Sequence, residues 1–367
     1  MKISFTGIGK QNEKLTKKLF KKYKKIFNKS EFILRRDVKK FEKNICKFMK
    51  SKYCVGLNSG TDALLMGLFA SGLKPGDEVI TTSHTYVATI SAIIHIGCKP
   101  IFVDIKNDFN IDVDLIEKKI SKKTRAILPV HLNGRPCNME KIVKLSKKYN
   151  IKIIEDCAQA FGAFFKKKHV GTFGACGCFS LHPMKTINVA GDGGFLITNN
   201  KSLFNKVKLL RDHGQIYPKS LNKILCYGFN SRLDNIHAAT ANIKIPYVNR
   251  WIKQKRSIAE NYIKNLKNIK KIQLPINVNN DYYNTYSSFV ILAEKRNKLF
   301  NHLNKAGIET SKGLSVGIDL QKKLFKKKKN LPITRKIEKK ILSLPIYPEL
   351  KNYEIDFICK SIKKFYS

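Results

Sequence analysis

Acidic residues are scarce in this chain. Its 367 residues carry 27 Asp+Glu against 71 Lys+Arg, a formal net charge of +44. Such an imbalance raises nucleic-acid binding as one expectation. The chain has few arginines, however, and no patch of basic residues interleaved with aromatics. Its lysines recur on nearly every expected helix face, including the runs near the N-terminus and at 322–330. We read this as a lysine-biased surface, with nucleic-acid binding as the rival of a different class. The field of such a surface concentrates phosphorylated or carboxylated ligands. No apolar run reaches the length of a membrane span, and the opening MKISFTGIGKQ lacks a signal-peptide core, so a cytoplasmic place with no membrane partner is expected. The nine cysteines are an odd number and show neither C-x-x-C nor zinc-type Cys/His spacing. They are expected to be reduced core residues, with no metal site. No internal repeat or linker is visible.

Against these absences stand 43% hydrophobic residues, ample for a core, and a length that suits two domains. Residues 12–27 and 37–50 read as amphipathic helices. From Cys54 strands and helices alternate: CVGL, a helix from Thr61, EVITT, a helix from Thr85, PIFVD, a helix from Asp112, RAILPVH, a helix from Asn138, then IKIIED. Strands this apolar are covered on both faces, which implies an α/β fold with a mostly parallel sheet and helices on both sides. GFLITN and a helix over 201–212 complete the large domain. A long helical pattern over 233–266, broken near Pro246, leads to a smaller C-terminal α+β domain. We place the boundary between 1–245 and 246–367.

Three stretches carry chemistry. In residues 178–196, CFSLHPMKTINVAGDGGFL, Lys185 sits in a glycine-rich loop between two apolar runs. One lysine in so basic a chain ordinarily reads as solvated surface. In residues 151–163, Asp156 ends an apolar strand, the place where open α/β sheets bind ligands. It precedes Lys185 by 29 positions (185 − 156). A carboxylate that holds a pyridinium N–H and a lysine that takes an aldehyde carbon are the pair that pyridoxal phosphate requires. The third stretch, Asn58 to Leu64, follows a strand and opens a helix, whose N-terminal amides suit a phosphate.

Four motifs in order make the resemblance specific. They are Gly60-Thr61-Asp62-Ala63-Leu64; Glu155-Asp156-Cys157-Ala158-Gln159; Phe179 to Lys185, with Gly191-Asp192-Gly193-Gly194; and Gly228-Phe229-Asn230-Ser231-Arg232. The chain resembles the DegT/DnrJ/EryC1/StrS sugar aminotransferases, from about Phe32 to near the C-terminus. That resemblance implies the type I PLP-transferase fold and pyridoxal 5'-phosphate as cofactor. It implies catalytic roles for Lys185 and Asp156, and cofactor binding by Gly60, Thr61, Tyr86, Asp156, Gln159, Ser180, Lys185 and Asn230. It further implies a homodimer, L-glutamate as amino donor and a keto sugar, nucleotide-linked, as acceptor, feeding amino-sugar and surface-polysaccharide synthesis. His182, Arg232 and His131 are candidate substrate residues. Taken by themselves, Tyr86 reads equally as core and His182 equally as a loop residue without a role. An eight-carbon sugar acid as acceptor and PLP-dependent sugar dehydration are the alternatives. The latter usually replaces the lysine with histidine. Two departures from the family pattern, Asn133 where many members have Tyr, and residues 313–319 where many carry an H-Y-x-x-P-x-H segment, leave the substrate open.

Overall fold

The computed structural model describes the chain except residues 217–222, 276–279, 315, 322 and 326–328. Part of the lysine run at 322–330, and Ser315 of the departing segment, lie outside the described residues. In chain order the strands are β1 (Tyr53–Leu57), β2 (Glu78–Thr82), β3 (Lys99–Val103), β4 (Thr124–Ile127), β5 (Lys152–Asp156), β6 (Phe164–Phe165), β7 (Lys168–His169), β8 (Cys176–Ser180), β9 (Gly194–Thr198), β10 (Ile272–Gln273), β11 (Tyr282–Tyr283), β12 (Phe289–Ala293) and β13 (Ile341–Leu344). Seven of them form one sheet in the order β1-β9-β8-β5-β4-β2-β3. The pairs from β8 through β5, β4 and β2 to β3 are parallel, and β9 runs antiparallel to both β1 and β8.

The apolar runs that suggested a doubly covered sheet are buried on both faces. On one side, Leu64 and Leu68 of the helix Gly60–Ala70 pack with Val55 and Leu196. On the other, Phe41 and Ile45 of the helix Arg36–Met49 pack with Phe179 and Phe195. The rings of Phe179 and Phe195 stack with centroids 4.7 Å apart, tying β8 to β9 immediately before the lysine loop. Burial of whole aromatic side chains on this scale is the main stabilising term in such a layer.

Pro246 lies in a 3₁₀ turn, Ile245–Tyr247, between the helices Asn235–Lys244 and Val248–Leu266, where the boundary was placed. The second core gathers β10, β12 and β13 with the helices Val248–Leu266, Arg296–Lys305 and Asn352–Tyr366 around Tyr262, Phe289 and Ile358. Ile3 belongs to this core and bridges Ile308, so the N-terminus returns to the smaller domain. A ribbon of β6, β7 and β11 links the two parts.

Two expectations fail locally. The helix expected from Asp112 is two short 3₁₀ turns, Val113–Leu115 and Glu117–Lys119. Asp112 caps the amide of Asp114, and burying Val113 and Ile116, three apart, needs only the tighter turn. The single helix expected over 12–27 is split into Ile8–Glu13 and Thr16–Asn28. There the Leu15 amide bonds Asn12 O in a 3₁₀ step that turns Gln11 and Leu15 inward.

Gly194 opens β9 against the turn that begins the helix Gly60–Ala70. A Cβ there would lie 2.3 Å from the carbonyl carbon of Ser59. Gly194→Ala should therefore push the Ser59–Gly60 turn away and destabilise the fold by about 1–3 kcal/mol, the usual cost of overpacking. A calorimetric unfolding midpoint equal to that of the wild type would contradict this close approach.

Candidate active site

The C-terminal ends of the parallel strands converge on a cavity of about 420 Å³, within the range of a cofactor site. Gly60, Thr61, Tyr86, Asp156, Gln159, Ser180, His182 and Lys185 all line it. The sequence motifs, spread over 125 positions of chain (185 − 60), meet there because each ends a strand or begins the helix that follows it.

Asp156 is the last residue of β5 and is buried. Its Oδ2 accepts from Thr89 Oγ1 at 2.8 Å, and its Oδ1 from the Ala158 amide at 3.0 Å. Burial raises its pKa; the two donors and the charge of Lys185 oppose that shift and favour the carboxylate. Lys185 is largely buried too. Desolvation lowers its pKa and the charge of Asp156 counters it, so each group holds the other's ionisation in a poorly solvated space.

At the edge of the cavity, the helix Gly60–Ala70 starts at Ser59, whose hydroxyl accepts from the Asp62 amide at 3.1 Å. The first amides of a helix have no intrahelical carbonyl partner, and the helix dipole favours an anion there. Ser180, at the end of β8, stands against Gly60, and a Cβ on Gly60 would lie 2.8 Å from Ser180 Cβ. Any larger residue at position 60 would fill this cradle.

Gln159 Oε1 accepts from the Asn133 amide at 2.8 Å, which leaves its NH₂ as the group free to donate. Asn133 takes a left-handed backbone (φ 58°), which Asn tolerates better than Tyr. Tyr86 caps the helix Val87–His95 and is 63% exposed at the rim, so it is a wall residue and not core. The His182 amide donates to Ser180 Oγ at 3.2 Å, and its Nδ1 accepts from the Met184 amide at 3.3 Å.

Three expected residues stand elsewhere. His131 does not line the cavity. It is fully buried behind the wall, with Nε2 3.1 Å from Glu155 Oε2 and Nδ1 accepting the Cys137 amide, so it supports β5 and cannot reach a substrate. The amides of Gly171, Phe173 and Gly174 also donate to Glu155. The same bonds occupy the one trio of metal-ligand type among the described residues, His131, Glu155 and Cys157. Arg232 Nη1 pairs with Asp212 Oδ1 at 3.1 Å, and Asn230 is exposed on a segment bridged to Asp212; neither lines the cavity. Residues Thr89, Asp192, Ser287 and Ser288 line the cavity without having been singled out. Thr89 could have been found four residues after Thr85, which stands just before the helix Val87–His95, and the two hydroxyls lie 2.7 Å apart. In the departing segment Asp319 pairs with Arg335 and accepts from Ser83, fastening the small domain to the end of β2.

A buried acid at a strand end and a half-buried lysine in the loop between two strands, beside a helix N-terminus in a mostly parallel sheet, define the aminotransferase class of this fold. Residues 13–363 match the family described as "DegT/DnrJ/EryC1/StrS aminotransferase family", and the chain belongs to that family. It is 37% identical over 372 residues to a "Pleiotropic regulatory protein" of Geobacillus stearothermophilus, spanning 100% of this chain and 99% of that one. It is also 37% identical over 335 residues to the "GDP-perosamine synthase" of Escherichia coli O157:H7, 90% of each. The crystal structure of S. venezuelae DesV in complex with a ketimine intermediate superposes with a TM-score of 0.96 at 29% identity, covering 100% of this chain and 99% of that one. The chain is a sugar aminotransferase by family.

Lys185→Ala should lower turnover by at least about a thousandfold, the span of a positioned acid–base group, and Asp156→Asn by roughly 10²–10³, as for other preorganised charges. Steady-state rates of folded variants check both; near wild-type turnover in either would remove that residue from the chemistry.

Proposed function

We propose that the protein binds pyridoxal 5'-phosphate in this cavity and moves an amino group from L-glutamate to the ketone of a nucleotide-linked deoxyhexose. The observation that carries this reading is the convergence of Lys185 and Asp156 on one cavity. The residues suit the cofactor: an anion cradle at Gly60, Thr61 and Ser180, a free Gln159 NH₂ for a ring hydroxyl, and the exposed Tyr86 ring as a cover. When bound, the cofactor supplies an electron-withdrawing ring conjugated to the carbon that carries the amine.

Asp156, whose carboxylate form Thr89 and the Ala158 amide favour, would hold the proton on the ring nitrogen. The Lys185 amine would hold the cofactor's aldehyde carbon and, when free, would carry a proton between the donor's α-carbon and that carbon. Its lowered pKa suits this work, since desolvation makes the neutral amine accessible. The same proton movements in reverse aminate the acceptor ketone. The presence of Lys185 disfavours the dehydratase reading, and the +44 surface concentrates an anionic sugar nucleotide. An eight-carbon sugar acid is the alternative acceptor.

The working unit in this proposal is a homodimer, in which Asn230 completes the partner's cofactor site and not its own. Support comes from its exposed position outside this protomer's cavity, beside the exposed apolar residues Ile224, Leu225 and Tyr227, the last fully exposed. A two-fold interface presents one patch twice, so a single segment can serve two sites. Nothing in the chain is a helix long and apolar enough to cross a membrane among the described residues.

Mixing Lys185→Ala with Asn230→Ala protein after reversible dissociation tests this arrangement. Each mixed dimer should hold one site with both lesions and one with neither, so activity should reappear; no recovery between two dimerising, nearly inactive variants would place Asn230 in its own protomer's site.

A further inference from the structure

Behind the lysine loop lies a second cavity of about 100 Å³ that shares Met184, Lys185, Ser287 and Ser288 with the first. It is far below the size that takes a sugar nucleotide, but it holds a short carboxylate arm. Its floor is Lys255, from the helix Val248–Leu266, 6% exposed. A buried ammonium ordinarily has a carboxylate partner. Among the described residues Lys255 Nζ has a single hydrogen bond, to Thr186 Oγ1 at 3.2 Å, and burial pulls its pKa down to about 8.

Three other polar atoms of the same cavity, Ser287 Oγ, Tyr347 Oη and Glu349 Oε2, are buried with no hydrogen-bond partner among the described residues. Glu349 is the cavity's one acid, and burial raises its pKa while the charges of Lys10, Lys14 and Arg250 lower it, so its charge is answered from outside the cavity. The other titratable groups that face this space are Lys185, on the loop, and Tyr347, on the segment after β13. Phe5, Thr6, Gly7, Ile8 and Gln11, from the N-terminal segment, bring no charge. Lys255 is left as a cation with no counter-ion among the described residues, in a cavity whose wall includes Lys185.

We propose that this cavity is a carboxylate subsite for the side chain of a dicarboxylic amino donor, with Lys255 as its anion-binding group and Ser287 as a second donor. The proposal rests on the aminotransferase reading above and deepens it. A donor whose amine is at Lys185 would extend its distal carboxylate past Ser287 to Lys255, and a donor without that carboxylate would leave the ammonium unpaired. Discrimination by such an unpaired buried charge is strong.

The test uses the holoenzyme. Glutarate, the five-carbon dicarboxylate without an amine, should bind by calorimetry. Its affinity should fall as pH rises through about 8, because the cationic form of Lys255 is lost there. In Lys255→Met the affinity should fall at least tenfold. The rate ratio of the donor half-reaction for L-glutamate over L-alanine, followed by the cofactor's absorbance, should fall at least tenfold in the same variant. An unchanged ratio, or glutarate affinity indifferent to both pH and Lys255, overturns the subsite and leaves the aminotransferase reading intact. If neither amino acid reacts with the wild type while glutarate binds through Lys255, the aminotransferase reading fails and the anion site stands. Should Lys255→Met not fold, the wild-type pH series decides alone.

Discussion

The structure turns on two opposite charges held in a space too dry for either alone. Burial pushes Asp156 toward its neutral acid and Lys185 toward its neutral amine, while each one's charge pulls the other back. Thr89 and the Ala158 amide counter that shift for Asp156 by hydrogen bonds, whereas for Lys185 it is the charge of Asp156 that counters it. The asymmetry suits a site in which the acid must stay charged and the amine must be able to give up its proton.

The rest of the large domain keeps that pair in place. β5 carries Asp156, and β8 and β9 bracket the loop of Lys185. The stacked Phe179 and Phe195 fix the two strands that bracket it. Behind Asp156, Glu155 points to the opposite face, where three backbone amides and His131 anchor the strand end. Two adjacent acids thus do unlike work because successive strand residues face opposite sides of a sheet. Beneath the loop, Lys244 donates to Asn188 Oδ1 at 2.5 Å and Lys255 to Thr186, so two buried ammonium groups hold the chain on either side of Ile187.

Much of this was legible in the sequence. Asp156, Lys185, Gly60 and Gln159 could be read because backbone geometry forces their residue types into short motifs. His131 was misplaced because a histidine at a strand end looks the same whether it faces the cavity or Glu155; only the register of the wall separates them. The helix expected from Asp112 failed because an apolar pair three apart fits a 3₁₀ turn as well as an α-turn. Lys255 was lost among 71 Lys+Arg. A signal for it did exist: Trp251, Lys255, Ile258 and Tyr262 follow helical spacing on one buried stripe, and a charge on such a stripe is the informative exception. Asn230 differs in kind, since its proposed role lies across an interface that no property of a single chain displays.

The central claim is that one lysine, Lys185, carries the chemistry in a chain rich in lysine. Borohydride reduction of the holoenzyme fixes the cofactor covalently to whichever lysine holds it, and peptide mass mapping then locates it. A single modified peptide containing Lys185, at one cofactor per chain, is the expected result. Label on Lys244 or Lys255, or spread over the surface lysines, would contradict it.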